Sequence, residues 1–194
     1  LESQKLSKSY VKAYIECPFA FHKRYVLGDD SLDQNFFPFV YGRNVHELLE
    51  KFYVKGESDI NILTKNIVMN DKYIKNKNVV NKFIEFNQMM KEKIGNNYIP
   101  YAIEMKLRDL ELNISGVIDR VQFDGENYMI IDYKQSGADY FDENETLSKY
   151  RFELAVYTYL FEKHTGLKVK LWGIYFCKNG KLVYETASEQ EVNK

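Results

Sequence analysis

Two neighbouring apolar runs, each interrupted by an acid, constrain the fold of this chain most strongly. They lie between Gly116 and Gly137, where the sequence is GVIDRVQFDGENYMIIDYKQSG. Asp119 interrupts the first run, Asp132 interrupts the second, and Lys134 follows two residues later. Alternating apolar and polar residues on both sides of a DGEN turn predict a β-hairpin. Charges inside such strands are costly unless they are paired or bound to a metal ion, so we expect a functional site here.

The register of this hairpin is predicted to place the two acids opposite each other. With DGEN as the turn, Phe123 pairs with Tyr128, and the same register pairs Asp119 with Asp132. Their β-carbons are then ~5 Å apart on one face of the sheet, and Lys134 points to the same side. Opposed like charges destabilise a sheet, and a divalent cation is the natural compensating charge because hard cations take carboxylate oxygens.

A plain surface ion pair between Asp132 and Lys134 on an edge strand is the alternative to a metal site. Ile130 and Ile131 make both faces of this strand apolar, which is typical of an internal strand. Together with the opposed Asp119, this pattern favours the metal site over the surface pair.

Hydrophobic periodicity divides the chain into two parts, which we expect to form a single domain over residues 1–194. Residues 1–100 are predicted to be mainly helical, because apolar residues recur three or four positions apart. Residues 101–194 are predicted to form the catalytic core, in the order three-stranded meander, helix, hairpin. This order predicts an α/β fold with a mixed central β-sheet flanked by helices.

Individual helices and turns are predicted from their capping and turn residues. Ser7 or Ser9 is expected to cap an N-terminal helix, and a later helix is expected over residues 78–94. Gly166 ends the helix that follows the meander. The dipeptide Asn179–Gly180 is expected to form the turn of the last hairpin.

Composition limits the function only loosely. The formal net charge is −1, so there is no global basic signal for nucleic acid, although a basic groove can lie on a neutral domain. Two cysteines, Cys17 and Cys177, do not make a disulfide framework and indicate a reducing, cytoplasmic location. No apolar run approaches the ~20 residues of a membrane-spanning helix, so no membrane partner is expected.

Five motifs in the same order resemble the RecB-like branch of the PD-(D/E)XK nuclease superfamily. GVIDRV followed by IIDYKQSG resembles its catalytic core, and SKSYVKAYIECPFAFHKRYVLG resembles its N-terminal segment. YGRNVHELLE matches a G-x-x-x-H-x-x-x-E motif as Gly42, His46 and Glu50. FELAVYTY resembles a Q-x-x-x-Y helix as Glu153 and Tyr157, with Glu in place of Gln. This branch includes CRISPR-associated RecB-like exonucleases and the nuclease domains of helicase–nuclease complexes.

The resemblance implies a restriction-endonuclease-like core and gives each motif residue a role. His46, Asp119 and Asp132 would be metal ligands, together with the backbone carbonyl of Tyr133. Lys134 would orient the attacking water and stabilise charge in the transition state.

Three further residues receive supporting roles from the resemblance. Glu153 and Tyr157, four positions apart on one helical face, would hold Lys134 or the DNA backbone. Glu104 fits an acid that is frequent in the family. Plainer alternatives remain open, because a histidine on a helix is often structural and Tyr157 lies on an apolar stripe typical of a core.

These expectations together predict a metal-dependent deoxyribonuclease. The resemblance favours an exonuclease for DNA repair, recombination or CRISPR-type DNA processing, with DNA as partner and a helicase or other repair or CRISPR proteins as candidate further partners. Mg²⁺ or Mn²⁺ is the expected cofactor, and an imidazole ligand favours Mn²⁺. The alternative is a catalytically inactive DNA-binding or scaffold module on the same fold. Some relatives hold an iron–sulfur cluster on four thiolates, and this chain, with two cysteines, is not expected to hold one.

Overall fold

The computed structural model of the chain describes residues 6–7, 13–14, 17–28, 45–135 and 147–192. Before residue 100 the described elements are helical apart from one short strand. In chain order they are β1 (Leu6–Ser7), α1 (Pro18–Phe21) continued by a π-helical turn (His22–Val26), α2 (45–50), α3 (Ile60–Val68), and α4 (Tyr73–Ile94) followed by a 3-10 turn (Gly95–Tyr98).

The second half carries most of the sheet. Its elements are β2 (Ala102–Asp109), β3 (Ile114–Phe123), β4 (Tyr128–Lys134), α5 (Arg151–Thr165), β5 (Val169–Phe176), β6 (Lys181–Thr186) and α6 (Glu189–Val192). The predicted order of meander, helix and hairpin is therefore confirmed.

The strands form one mixed sheet in the described part of the chain. β3 pairs antiparallel with β2 and with β4, β4 pairs parallel with β5, and β5 pairs antiparallel with β6. The short β1 runs parallel to the start of β3. Because β2 covers one edge of β3 along most of its length, β1 and β4 lie along the opposite edge, one near each end of β3.

Helices cover both faces of this sheet, and each face has its own core. On one face, apolar residues of α2, α3 and α4 pack against Ile131 and Tyr133 of β4. On the other face, α5 packs against strand residues that include Ile130 of β4. Adjacent β4 residues thus enter different cores, as the period of two along a strand requires. The α/β class and the central mixed sheet flanked by helices are confirmed.

Local signals account for the ends of two helices near the core. The side chain of Asp59 accepts the backbone N–H of Asn61 and caps the start of α3. Gly166 adopts φ +72° directly after α5 and donates its N–H to the carbonyl of Glu162, as predicted for a C-cap. No helix among the described residues is long and apolar enough to cross a membrane.

The N-terminal part differs from its prediction at one point. Ser7 was expected as a candidate helix cap, but it lies in β1 and pairs with Ser115. That prediction was wrong for Ser7, because a strand of two residues carries no alternation that a sequence pattern can reveal. The helix predicted over 78–94 is confirmed as the part of α4 that follows a kink at Asn76, and α4 as a whole begins at Tyr73. Ser9 lies outside the described residues.

Candidate functional site

The hairpin of β3 and β4 has the predicted register, and its strand pairing ends in an opening next to Asp119 and Asp132. Phe123 pairs with Tyr128, and the antiparallel pairing continues as far as Arg120 with Ile131. One row further, the Oδ2 atom of Asp119 accepts the backbone N–H of Tyr133 at 2.7 Å. A buried side chain thus satisfies a backbone donor that the neighbouring strand would otherwise bond.

The backbone of Tyr133 is oriented toward the same opening. Within a strand, the N–H and C=O groups of one residue point to the same edge. Since its N–H bonds Asp119, the Tyr133 carbonyl also points to the β3 edge of β4. The carbonyl of the next residue, Lys134, points the other way and accepts the N–H of Cys177 beside β5. The orientation of Tyr133 is compatible with its predicted role as a backbone ligand.

A three-residue group with metal-binding potential lies at this opening. His46 of α2, Glu104 of β2 and Asp119 of β3 each offer one ligand atom, and these atoms all lie within 4.8 Å of one another. Nδ1 of His46 is 3.4 Å from Oδ1 of Asp119. We call this set the cation group. It contains two of the predicted side-chain ligands, His46 and Asp119, together with Glu104, and it does not include Asp132.

Glu104 reaches the cation group through an unusual backbone conformation. It has φ +45° inside β2, a region that residues other than glycine rarely adopt. Glu104 and Asp119 occupy one row of the β2–β3 pair. The paired rows on either side are Ile103 with Arg120 and Met105 with Ile118. Such strain costs about 1–3 kcal/mol and is concentrated at functional sites.

Asp132 belongs to a second cluster, next to the cation group on the α5 side. Its chain neighbours Ile131 and Tyr133 enter the core under α2–α4, so Asp132 points toward α5. Nζ of Lys134 lies 2.7 Å from Oδ2 of Asp132 and 3.2 Å from Oε2 of Glu153 in α5. In this arrangement Lys134 holds the Asp132 carboxylate, and the role of Asp132 as a metal ligand stays a prediction. We call Asp132, Lys134 and Glu153 the lysine cluster.

Tyr157 supports the same region from α5 and is part of the α5-side core. Its ring lies directly over Gly116, where an added β-carbon would come within 2.8 Å of Cε1. Burial raises the pKa of Tyr157, and the negative charges of Asp132 and Asp119 raise it further. Tyr157 therefore stays a neutral phenol beside both clusters.

The sequence itself identifies the family. The sequence model of the PD-(D/E)XK nuclease superfamily matches residues 5–193. The chain belongs to this superfamily. Its members are generally divalent-metal-dependent nucleases, so the protein is expected to act on nucleic acid with a metal ion. A search among curated proteins gave no match.

The cation group of this PD-(D/E)XK protein is electrostatically suited to a divalent ion. Burial raises the pKa of Glu104 to about 7, and the charge of Asp119 raises it as well. Burial lowers the pKa of His46, but the hydrogen bond to Asp119 and the surrounding carboxylates raise it overall. Both shifts reflect burial together with the negative charge of neighbouring carboxylates. Two carboxylates and an imidazole are donors that Mg²⁺ and Mn²⁺ accept, so the residues present fit the metal that the superfamily uses.

Glu50 and Gly42 are the two other residues of the predicted G-x-x-x-H-x-x-x-E motif. Glu50 is exposed on α2 and raises the pKa of Glu104 through its charge, so it lies near the cation group without belonging to it. Gly42, the first residue of its predicted motif, lies outside the described residues.

Sequence patterns missed one contact of the lysine cluster. The ammonium of Lys134 lies 4.7 Å from the centre of the Tyr150 ring, within the range of a cation–π interaction. Tyr150 immediately precedes α5, three residues before Glu153. The spacing of three residues places Tyr150 on the same helical side as Glu153. That spacing alone does not mark a tyrosine as functional, so the sequence alone did not single it out.

Proposed function

We propose that the protein is a divalent-metal-dependent deoxyribonuclease that hydrolyses phosphodiester bonds and works as an exonuclease. The observation that carries the proposal is the cation group, placed next to a lysine that two carboxylates hold. A metal ion beside a mobile positive charge is the arrangement that phosphodiester hydrolysis needs, because charge develops on the phosphate oxygens in the transition state.

The cation group is proposed to hold the ion through His46, Glu104 and Asp119. A bound ion would polarise the phosphate and lower the pKa of a water ligand. The Tyr133 carbonyl points to the same opening and is proposed as a further ligand. Asp132 is proposed to join these ligands when Lys134 moves from it toward the substrate.

Lys134 is proposed to act as the cationic residue of the reaction. Its ammonium would donate hydrogen bonds to the attacking water and to a phosphate oxygen. Glu153 provides a second carboxylate contact to the Lys134 ammonium at 3.2 Å. Glu153 would therefore keep the ammonium near the site while Asp132 turns to the ion. Tyr157 is proposed to fix the position of β3, which carries Asp119, through its contact with Gly116.

The finer parts of the proposal rest on the resemblance to RecB-like nucleases. They are the exonuclease mode, a role in DNA repair, recombination or CRISPR-type DNA processing, and a helicase or related protein as partner. An imidazole in the cation group supports activity with Mn²⁺ at least equal to that with Mg²⁺.

A cleavage assay tests the proposal directly. End-labelled single-stranded and duplex DNA, together with closed circular DNA, are incubated with Mn²⁺, Mg²⁺ or a chelator. We expect metal-dependent loss of linear substrate, intact circles, and no cleavage by Asp119→Asn or Lys134→Ala. Lys170→Ala serves as a control, because Lys170 is exposed on β5. Folded wild-type protein that cleaves nothing in either metal, or full activity in both variants, would refute the nuclease.

A non-catalytic DNA-binding module is the second candidate. The observation that favours it is the ion pair between Lys134 and Asp132, which keeps one predicted ligand out of the cation group. Calorimetric titration with Mn²⁺ separates the two. Heat of binding that disappears in Asp119→Asn supports the nuclease, whereas DNA binding without Mn²⁺ binding supports the module.

A further inference from the structure

One face of β2 next to the cation group is open to solvent. Met105 and Leu107 pack in the core under α5. Because side chains alternate along a strand, Lys106 and Arg108 point to the opposite face. Both are exposed, so the helical layer of α2–α4 does not cover this part of β2.

The paired residues of β3 extend the same open face. Val117 pairs with Lys106 and Ser115 pairs with Arg108. The side chain of Val117 is 36% exposed, which is unusual for a valine in an inner strand. Gly116, between these two β3 residues, lies under Tyr157 on the α5 side, so the alternation holds on this strand too.

The open face ends at the cation group. Continuing the same two-residue spacing, the row after Lys106 and Val117 contains Glu104 and Asp119. One position beyond, the helical layer covers the sheet, because Arg120 is fully buried and donates hydrogen bonds to Tyr53 of the segment after α2 and to Asn87 of α4. The cation group therefore stands at the boundary between the open and the covered sheet.

From this arrangement we infer that a single polynucleotide strand lies along the open face and reaches the cation group with its phosphates on Lys106 and Arg108. The inference rests on the proposed nuclease function and names the path of its substrate. Alternate residues of a strand are ~6.6 Å apart, which is comparable with the separation of successive phosphates in an extended strand. One phosphate at Glu104 and Asp119 would thus place the next two near Lys106 and Arg108.

The chemistry of the two side chains suits a phosphate backbone. Lysine supplies a compact charge, and arginine supplies planar donors that match phosphate oxygens. The Arg108 guanidinium donates to Oδ1 of Asn113 at 3.2 Å, which orients it on the sheet surface. Val117 adds apolar surface beside Lys106 without a competing negative charge. A strand bound here by its backbone would be held independently of base sequence.

Salt-dependent binding tests the inference. A fluorescent single-stranded oligonucleotide is titrated with metal-free protein at several salt concentrations, using wild type, Lys106→Ala with Arg108→Ala, and the control Lys93→Ala with Lys170→Ala. The control removes the same charge from exposed positions on α4 and β5. For the first variant we expect weaker binding and a slope of log K against log salt that is smaller by about 1.4, since each phosphate contact on a single strand contributes about 0.7.

Two outcomes separate this inference from the proposed function. If the wild type cleaves DNA and the Lys106, Arg108 variant keeps the wild-type affinity and salt slope, the open face is not the path and only this inference fails. If the wild type binds with the expected slopes and cleaves nothing, the surface stands and the nuclease fails. Because a double substitution could unfold the chain, Lys106→Glu alone provides a second measurement, and it is expected to weaken binding more than Lys93→Glu.

Discussion

Replacing Glu104 by glutamine has two opposite effects if the cation group is real. Glutamine keeps the shape of the side chain and removes the charge that burial and Asp119 disfavour. We therefore expect Glu104→Gln to stabilise the metal-free protein at pH 8. The same substitution removes an anionic ligand, so we expect it to reduce the stabilisation that Mn²⁺ provides.

The size of the first effect follows from the pKa of Glu104. Its pKa lies at about 7 in the folded chain against an ordinary value of 4.5. At 1.36 kcal/mol for each pKa unit, the ionised form costs at most about 3 kcal/mol. Glu104 is only half-buried, and solvent screening reduces this to about 1–2 kcal/mol. For a chain of this length that corresponds to about 2–8 °C in melting temperature.

The sign of the pH dependence is fixed by the direction of the shift. A carboxyl with a raised pKa in the folded state keeps its proton to a higher pH than it does in the unfolded state. The penalty is absent below pH 4.5, grows as the pH rises, and is complete above about pH 7. The wild type and Glu104→Gln should thus melt together near pH 4.5 and separate by pH 8, with the variant higher.

The second effect is measured in the same melts with added Mn²⁺. Ligand binding stabilises the folded state by RT ln(1 + [L]/Kd). A loss of about tenfold in affinity lowers that stabilisation by about 1.4 kcal/mol at saturating Mn²⁺. Glu92→Gln, exposed on α4, is the control and should change neither melt. Two results would refute the assignment of Glu104 to the cation group. One is a metal-free Glu104→Gln protein that is less stable than wild type at pH 8, and the other is a Glu104→Gln protein that Mn²⁺ stabilises as much as it stabilises the wild type.

Three further predictions concern the same region. Mn²⁺ affinity should rise between pH 6 and pH 8, because Glu104 and His46 have raised pKa values and must lose protons to bind an ion; titration calorimetry in two buffers should show proton release, and a flat affinity would contradict this. Tyr150→Leu should slow single-turnover cleavage about 2- to 30-fold through loss of the cation–π contact with Lys134, whereas Tyr150→Phe should retain the wild-type rate. Gly116→Ala should cost about 1–3 kcal/mol in urea denaturation because the new methyl group meets Tyr157, and an unchanged midpoint would show that the ring can move away.

The hairpin register could be predicted because it depends on local sequence alone. The DGEN turn fixes the pairing of Phe123 with Tyr128, and the structure has this pair and the next three. The end of the pairing could not be predicted in the same way. It depends on how the side chain of Asp119 fits between the strands, and on α2 and α5, which come from distant parts of the chain.

The contacts of Asp132 and the backbone conformation of Glu104 could not be predicted from the sequence either. The sequence places Asp132 opposite Asp119, but it does not show that Lys134 folds back onto Asp132 or that Glu153 lies on the other side of the ammonium. Nor does it show the positive φ of Glu104, since glutamate in an alternating strand ordinarily has extended backbone. Both features are set by packing between layers rather than by spacing along the chain.

The lysine cluster and the cation group differ in the partners of their carboxylates. In the lysine cluster, Asp132 and Glu153 share one ammonium, which balances one of their two negative charges. In the cation group, the Asp119 carboxylate has the Tyr133 N–H and the His46 imidazole as partners.

Glu104 differs from these carboxylates in the described part of the chain. Burial and the charges of Asp119 and Glu50 raise its pKa, and the charges of His46 and Lys106 lower it. Ionising it without a bound cation is costly, which is the reason its pKa approaches 7. In the proposed site, Glu104 is therefore the residue whose charge would gain most from a bound divalent ion, and it is the residue with positive φ in β2. If the backbone of Glu104 relaxed to an extended conformation, its carboxylate would leave the group and the demand would disappear with it, so strain and metal affinity should be lost together in any variant that releases this residue.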